Sequence, residues 1–212
     1  MKILVTGGSG YIGTSLVPAL LGKNHKVIVL DNLMYDQNVL LEHYINPNFS
    51  FVYGDIRDRK VVQDLVEQSD AVIHLASIVG APACKKNETL AKEVNVDGTK
   101  NVIDFISNDQ ILLFASTGSV YGKIEGMCDE DWEPNPLSLY GSTKLEGELM
   151  ALNLPNSVAF RFATAYGLSP RLRLDLLPND FVLNAIRNKY LVVYDKKFRR
   201  TFIHVTDIVR SY

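Results

Sequence analysis

Residues 1–31 read MKILVTGGSGYIGTSLVPALLGKNHKVIVLD, and this stretch decides the fold. Ile3, Leu4 and Val5 form an apolar run with no polar interruption, the pattern of a strand buried on both faces. Gly7, Gly8, Gly10 and Gly13 follow, then an apolar helical pattern from Tyr11 to Leu21. A second buried run, Val27 to Leu30, stops on Asp31. The order is strand, glycine-rich turn, helix, strand, acid, and each part serves a dinucleotide. An early Gly turns the chain sharply, Gly10 lets the backbone approach a pyrophosphate, and Gly13 lets the helix press on the sheet. The helix N-terminus offers N–H groups and partial positive charge to the phosphates. Asp31 is placed to accept hydrogen bonds from a ribose diol and would repel a phosphate there. With no Arg or Lys close behind it, the expected cofactor is NAD rather than NADP. Pro18 falls inside the helical pattern, at a cost of about 3 kcal/mol or a kink that packing must outweigh.

Outward from this unit, strand-like runs recur at Phe51–Val52, Ala71–Leu75, Ile111–Phe114 and Val158–Phe162. Amphipathic stretches at 58–68, 85–107 and 138–153 separate them. Such alternation predicts an α/β fold, a doubly wound parallel sheet with helices on both faces. The stretch 123–137, with Gly126, Pro134 and Pro136 among four acids, is expected to be a surface loop.

The 212 residues suit one large domain or a domain and a half, and 47% hydrophobic content can fill a core. A net charge of -2 gives no reason to expect nucleic acid. The run Lys196-Lys197-Phe198-Arg199-Arg200 is read as a solvated hairpin. No apolar run reaches the length of about 18 residues that a membrane span needs, and no signal peptide precedes the first strand. Cys84 and Cys128 make neither a disulfide framework nor a metal cluster, so no metal is expected and a cytoplasmic location is the default.

Several strand ends carry candidate ligand groups. Asp55, in Gly54-Asp55-Ile56, could accept from an adenine amino group while Ile56 covers the ring; a helix N-cap is the competing reading. His74-Leu75-Ala76 ends the next strand, where small Ala76 and Ser77 permit close approach, and His74 is read as a structural histidine. Ser116-Thr117-Gly118-Ser119 follows the fifth strand. Beyond it stands Tyr140-Gly141-Ser142-Thr143-Lys144, where Tyr140 and Lys144 share one helix face. A phenol of pKa about 10 is a poor base at neutral pH, and a neighbouring ammonium is expected to lower it. Lys144 could also hold the cofactor ribose, and Thr117 could share the proton. A solvated Tyr/Lys pair is the alternative, disfavoured behind a dinucleotide turn.

The stretches TGGSGYIG, DNL, GDIRD, HLAS, NVDGT, STGSVYG, YGSTK, RFATAYG and RTFIHVTD run collinearly from residue 6 to 207. On them the chain resembles the extended short-chain dehydrogenase/reductases, in the branch of NAD-dependent nucleotide-sugar epimerases and dehydratases. The resemblance implies Tyr140 as acid/base, Lys144 as its partner and Thr117 as third member. It places Gly7, Gly10, Tyr11, Ile12, Gly13, Asp31, Asn32, Asp55, Ile56, Leu75, Ala76 and Ser77 at the NAD site, and Asn95 near the catalytic helix. It puts Arg171, Asn179 and Arg200 near the substrate's nucleotide diphosphate and Thr117 and Thr164 among the substrate contacts, with Thr164 standing where relatives usually carry Asn. It also implies a homodimer through 85–107 and 138–153.

Departures narrow the reaction. Where dehydratases of this group carry an Asp-Glu pair and decarboxylases a Glu, this chain has Gly118-Ser119. Neither Cys84 nor Cys128 matches the motifs of 3,5-epimerases. A 4-epimerase needs only hydride transfer and one proton and fits best; a 4-ketoreductase would use the same groups, and a non-catalytic NAD-binding module is the third reading. The expected organisation is a Rossmann domain over 1–165 and the start of a nucleotide-sugar-binding lobe over 166–212, incomplete where the chain stops at Tyr212.

Overall fold

The computed structural model describes residues 1–36, 38–194 and 197–212. Strand β1 (Lys2–Thr6) leads into helix α1 (Gly13–Gly22) and strand β2 (Lys26–Asp31). Strand β3 (Phe49–Tyr53), helix α2 (Arg59–Val66) and strand β4 (Ala71–His74) follow. The amphipathic stretch at 85–107 folds as several short helical pieces. It holds α3 (Ala81–Lys86), α4 (Glu88–Lys92), a π-helical turn Glu93–Gly98 and α5 (Thr99–Asp104). Strand β5 (Ile111–Thr117), helix α6 (Leu139–Ala151) and strand β6 (Ser157–Phe162) complete the main layer. A smaller part adds strand β7 (Thr164–Tyr166), helix α7 (Leu177–Asn188), strand β8 (Phe202–His204) and helix α8 (Val205–Ser211).

Six strands form one parallel sheet in the order β3-β2-β1-β4-β5-β6. The chain runs outward one way from β1 and then returns to β4 on its other side. A crevice therefore opens between the C-terminal ends of β1 and β4, where such sheets take their ligands. Val5, Val27, Val29 and Ile73 pack with Leu16, Val17, Leu20 and Leu21 of α1 on one face. Leu4, Leu30, Val72, Leu112 and Phe114 pack with α2, α5 and α6 residues on the other. Burying one Leu or Val is worth about 1.5–3 kcal/mol, so this packing outweighs Pro18, which stays inside α1.

β7 and β8 pair in parallel as a separate two-stranded sheet. Helix α7 has no fully buried residue, and Val182 and Ile186 stand 60% and 64% exposed. A cavity of about 340 Å³ lies there between Tyr166, Leu177, Pro178, Phe181 and Phe202, remote in sequence and chemistry from Tyr140 and Lys144. Residues 122–138 are irregular and largely exposed, as expected of the loop. Of the basic run at 196–200, Lys196 lies outside the described residues, and Lys197 to Arg200 are exposed without forming a strand. No helix among the described residues is long and apolar enough to cross a membrane.

Candidate active site

The glycine turn is built for close approach. Gly7 has φ +69°, and a Cβ on it would sit 2.6 Å from the Ala76 nitrogen, so β1 and β4 can meet only with Gly there. Gly7 N donates to Leu30 O (2.8 Å), and Leu75 N donates to Thr6 O (3.1 Å), which fixes the crevice from both sides. The sheet contact expected of Gly13 belongs instead to Gly8, whose Cβ would lie 2.8 Å from Val29; Gly13 presses against the backbone of Gly8. The turn is thus a cradle that any side chain would fill, ahead of the helix N-terminus. It fits a pyrophosphate.

Asp31 ends β2 beside it. Its carboxylate accepts from Ser9 N (2.9 Å) and Leu33 N (2.8 Å). Burial raises its pKa, against those two N–H groups and the charge of Arg171. No basic residue follows Asp31 closely in sequence, yet folding brings Arg171 within electrostatic reach, its guanidinium 4.5 Å over the Tyr35 ring. Arg171 therefore faces the Asp31 side of the crevice.

Three of the expected cofactor-site residues are engaged within the protein. Asp55 accepts from Arg57 Nε (3.0 Å) and Asn32 Nδ2 (3.0 Å), and the Arg57 hydrogen bond holds its pKa low. It is not the cap of α2, a place taken by Asp58, and little of its accepting capacity is left for an adenine. Ile56 is 5% exposed, and its side chain packs where a Cβ on Gly98 would lie. Asn95 is 1% exposed, directed inward by the π-helical turn. Its Oδ1 accepts from Ser77 Oγ (2.9 Å) and Ile78 N (2.7 Å), while Nδ2 donates to Ile78 O and Thr143 Oγ1 (both 3.1 Å). Through these bonds the Asn95 amide ties the β4 edge to α6.

His74 is structural, as expected. Its ring nitrogens bond Thr6 Oγ1 (2.6 Å) and Thr99 Oγ1 (2.9 Å), and burial with the nearby Lys144 charge lowers its pKa to about 3. It is neutral at any ordinary pH.

Thr117 closes β5, and Tyr140 and Lys144 come from the first two turns of α6. Ser138 caps that helix through its bond from Gly141 N (3.1 Å). Gly141 lets α6 start against the 118–121 turn, since a Cβ would lie 2.8 Å from Ser119 O. Thr117 hydrogen-bonds the Tyr140 hydroxyl. Lys144 is 2% exposed, its ammonium 4.1 Å over the Phe114 ring.

The electrostatics correct the expectation that Lys144 makes Tyr140 acidic. Burial pushes Tyr140 up to about 12, opposed by the Thr117 bond and the charge of Arg173 rather than by Lys144. Burial pulls Lys144 down to about 7, so at neutral pH its charge is only partly present. Loss of water dominates both groups, and it penalises the phenolate and the ammonium alike.

Of the expected substrate contacts, Thr164 lies in β7, and its N–H donates to Thr201 O (3.2 Å). Asn179 accepts from Gly167 N (3.0 Å) and donates to Arg173 O (2.9 Å), so it shapes the segment after β7. Arg200 is exposed in the irregular stretch before β8. That same segment is clasped to the glycine turn: Tyr11 Oη donates to Gly167 O (2.7 Å) and Ser169 Oγ to Tyr11 O (2.6 Å). Arg173, Ser169 and Glu148 were missed in the sequence. Only Glu148 carried a signal, four residues beyond Lys144.

Comparison with known proteins agrees with this geometry. The family model described as the NAD dependent epimerase/dehydratase family matches residues 3–212. The chain is 33% identical to a dTDP-glucose 4,6-dehydratase of Streptomyces niveus, over all of this chain and 67% of that protein. It is 30% identical to a UDP-N-acetyl-alpha-D-glucosaminuronate decarboxylase of Bacillus cytotoxicus, over 99% of this chain and 69% of that one. Its fold superposes on the UDP-glucuronic acid 4-epimerase from Bacillus cereus, solved with UDP-glucuronic acid and NAD, with a TM-score of 0.87. That match has 30% identity and covers 99% of this chain and 71% of the other. With the family model matching nearly the whole length, the chain belongs to the NAD-dependent epimerase/dehydratase family, within the extended short-chain dehydrogenase/reductases.

Proposed function

We propose that the chain is an NAD-dependent nucleotide-sugar 4-epimerase, with Tyr140 as acid/base. The supporting observation is that Thr117 at the end of β5 meets Tyr140 on the face of α6 that also carries Lys144, with Gly118 and Ser119 where a dehydratase or decarboxylase would need carboxylates. Bound NAD supplies a hydride acceptor and, when oxidised, a positive charge. The protein's own part is proton management at the sugar 4-hydroxyl. Tyr140 Oη takes that proton on the way to a 4-keto sugar and returns it afterwards, and the Thr117 hydroxyl orients or shares it. Lys144, whose pKa burial lowers to about 7, stands one helical turn from Tyr140 and would hold the cofactor ribose. Gly7, Gly10 and Gly13 with the α1 N-terminus would seat the pyrophosphate, Asp31 the ribose diol. A 4-ketoreductase would use the same groups in one direction.

The test is incubation of the protein with NAD and a panel of nucleotide sugars, with products resolved by chromatography. Conversion of one sugar to its 4-epimer is expected, and Tyr140→Phe should abolish it while still binding NAD. A variant that turns over like wild type would remove Tyr140 from the reaction.

A further inference from the structure

Glu148 is a charged side chain left 1% exposed in the core, and the acid–base steps above give it no part. It lies on α6 one turn beyond Lys144, on the same face. Ser116 and Arg161 are register partners across β5 and β6, so both side chains point at it from the sheet. Ser116 Oγ donates to Oε2, and Arg161 donates through Nε (2.9 Å) and pairs at 2.7 Å with Oε1. Arg161 also donates to Glu130 O (3.0 Å) and stacks on the Tyr121 ring (4.8 Å). The carboxylate is thereby pinned in place, with Arg161 on the sheet side and Lys144 one turn along the helix.

We propose that Glu148, clamped by Ser116 and Arg161, is the buried counter-charge that keeps the Lys144 ammonium available beside Tyr140; it is a positioning residue and touches no substrate. Burying an ammonium is costly unless an opposite charge is near. The other groups facing Lys144 cannot serve. His74 on β4 is neutral, the Cys84 thiol on α3 is pushed up by burial, Tyr140 is protonated, and Phe114 offers only its ring face. Glu148 is the group that raises the Lys144 pKa most, against the larger effect of burial. Arg161 serves the carboxylate: it neutralises part of it and fixes its direction.

The catalytic consequence rests on the 4-epimerase reading, but the test does not. Lysine side-chain carbons of the cofactor-free protein are labelled with 13C, the Lys144 signal is assigned by its loss in Lys144→Arg, and its titration is followed by NMR. Wild-type Lys144 should titrate near pH 7. In Glu148→Gln the midpoint should fall by about one pH unit, the scale of losing one opposite charge. Because that variant leaves the partly buried Arg161 without its carboxylate, Glu148→Gln/Arg161→Met is measured too; removing both charges of such a pair is well tolerated. Its Lys144 midpoint should also fall. If the double variant folds and Lys144 titrates as in wild type, Glu148 serves only to hold helix to sheet and the proposal is overturned.

Discussion

Replacing Lys144 by Met should stabilise the cofactor-free chain near neutral pH, and the advantage should fade as the pH rises. The Lys144 side chain is 2% exposed, and burial lowers its pKa from 10.5 to about 7. Between those values the unfolded chain holds a proton that the native chain has released. Native stability therefore rises with pH across that window, and below it the full penalty of a buried ammonium remains. The slope approaches about 1.4 kcal/mol per pH unit, and integrated from about pH 7 to about pH 9 it amounts to about 2 kcal/mol. Met keeps an apolar chain against Phe114 but has no proton to lose. Urea unfolding of both proteins across this range gives the difference in stability, in which the titrating groups they share cancel. The lead of Lys144→Met should be largest at the acid end and shrink by about 2 kcal/mol by about pH 9. A lead independent of pH would mean that native Lys144 titrates as it does in water, and the account of its burial would be wrong.

Two further outcomes follow from the crevice. Gly7→Ala should lose NAD binding in calorimetry and destabilise the fold by about 2 kcal/mol or more, since a left-handed φ and a Cβ 2.6 Å from Ala76 N are both imposed. Unchanged NAD affinity would show that β1 and β4 need not meet so closely. Asp31→Ala should weaken NAD and relax discrimination against NADP, and it should cost about 1–3 kcal/mol of stability by stranding the Ser9 and Leu33 N–H groups. Retained preference for NAD in a competition assay would shift the choice of cofactor away from Asp31.

Much of this protein was legible in order along the chain. The buried runs gave all six main strands within a few residues, because a strand covered on both faces must be apolar throughout. The Tyr140–Lys144 pair was legible because a helix converts a spacing of four into a shared face. What depended on partners far away in sequence was not. The amphipathic stretch at 85–107 is interrupted where a π-helical turn carries Asn95 inward to bond Ile78 and Thr143, and nothing in its period of apolar residues announces that.

The sequence by itself determined the parallel doubly wound sheet, the glycine turn and the shared helix face of Tyr140 and Lys144, all of which arise from local pattern. Tertiary structure decided the charges. Only the fold removes water from Tyr140 and Lys144, places Glu148 between Lys144 and Arg161, and carries Arg171 to Asp31. A pKa depends on what surrounds a group in space, and for these residues that surrounding comes from strands and helices distant along the chain.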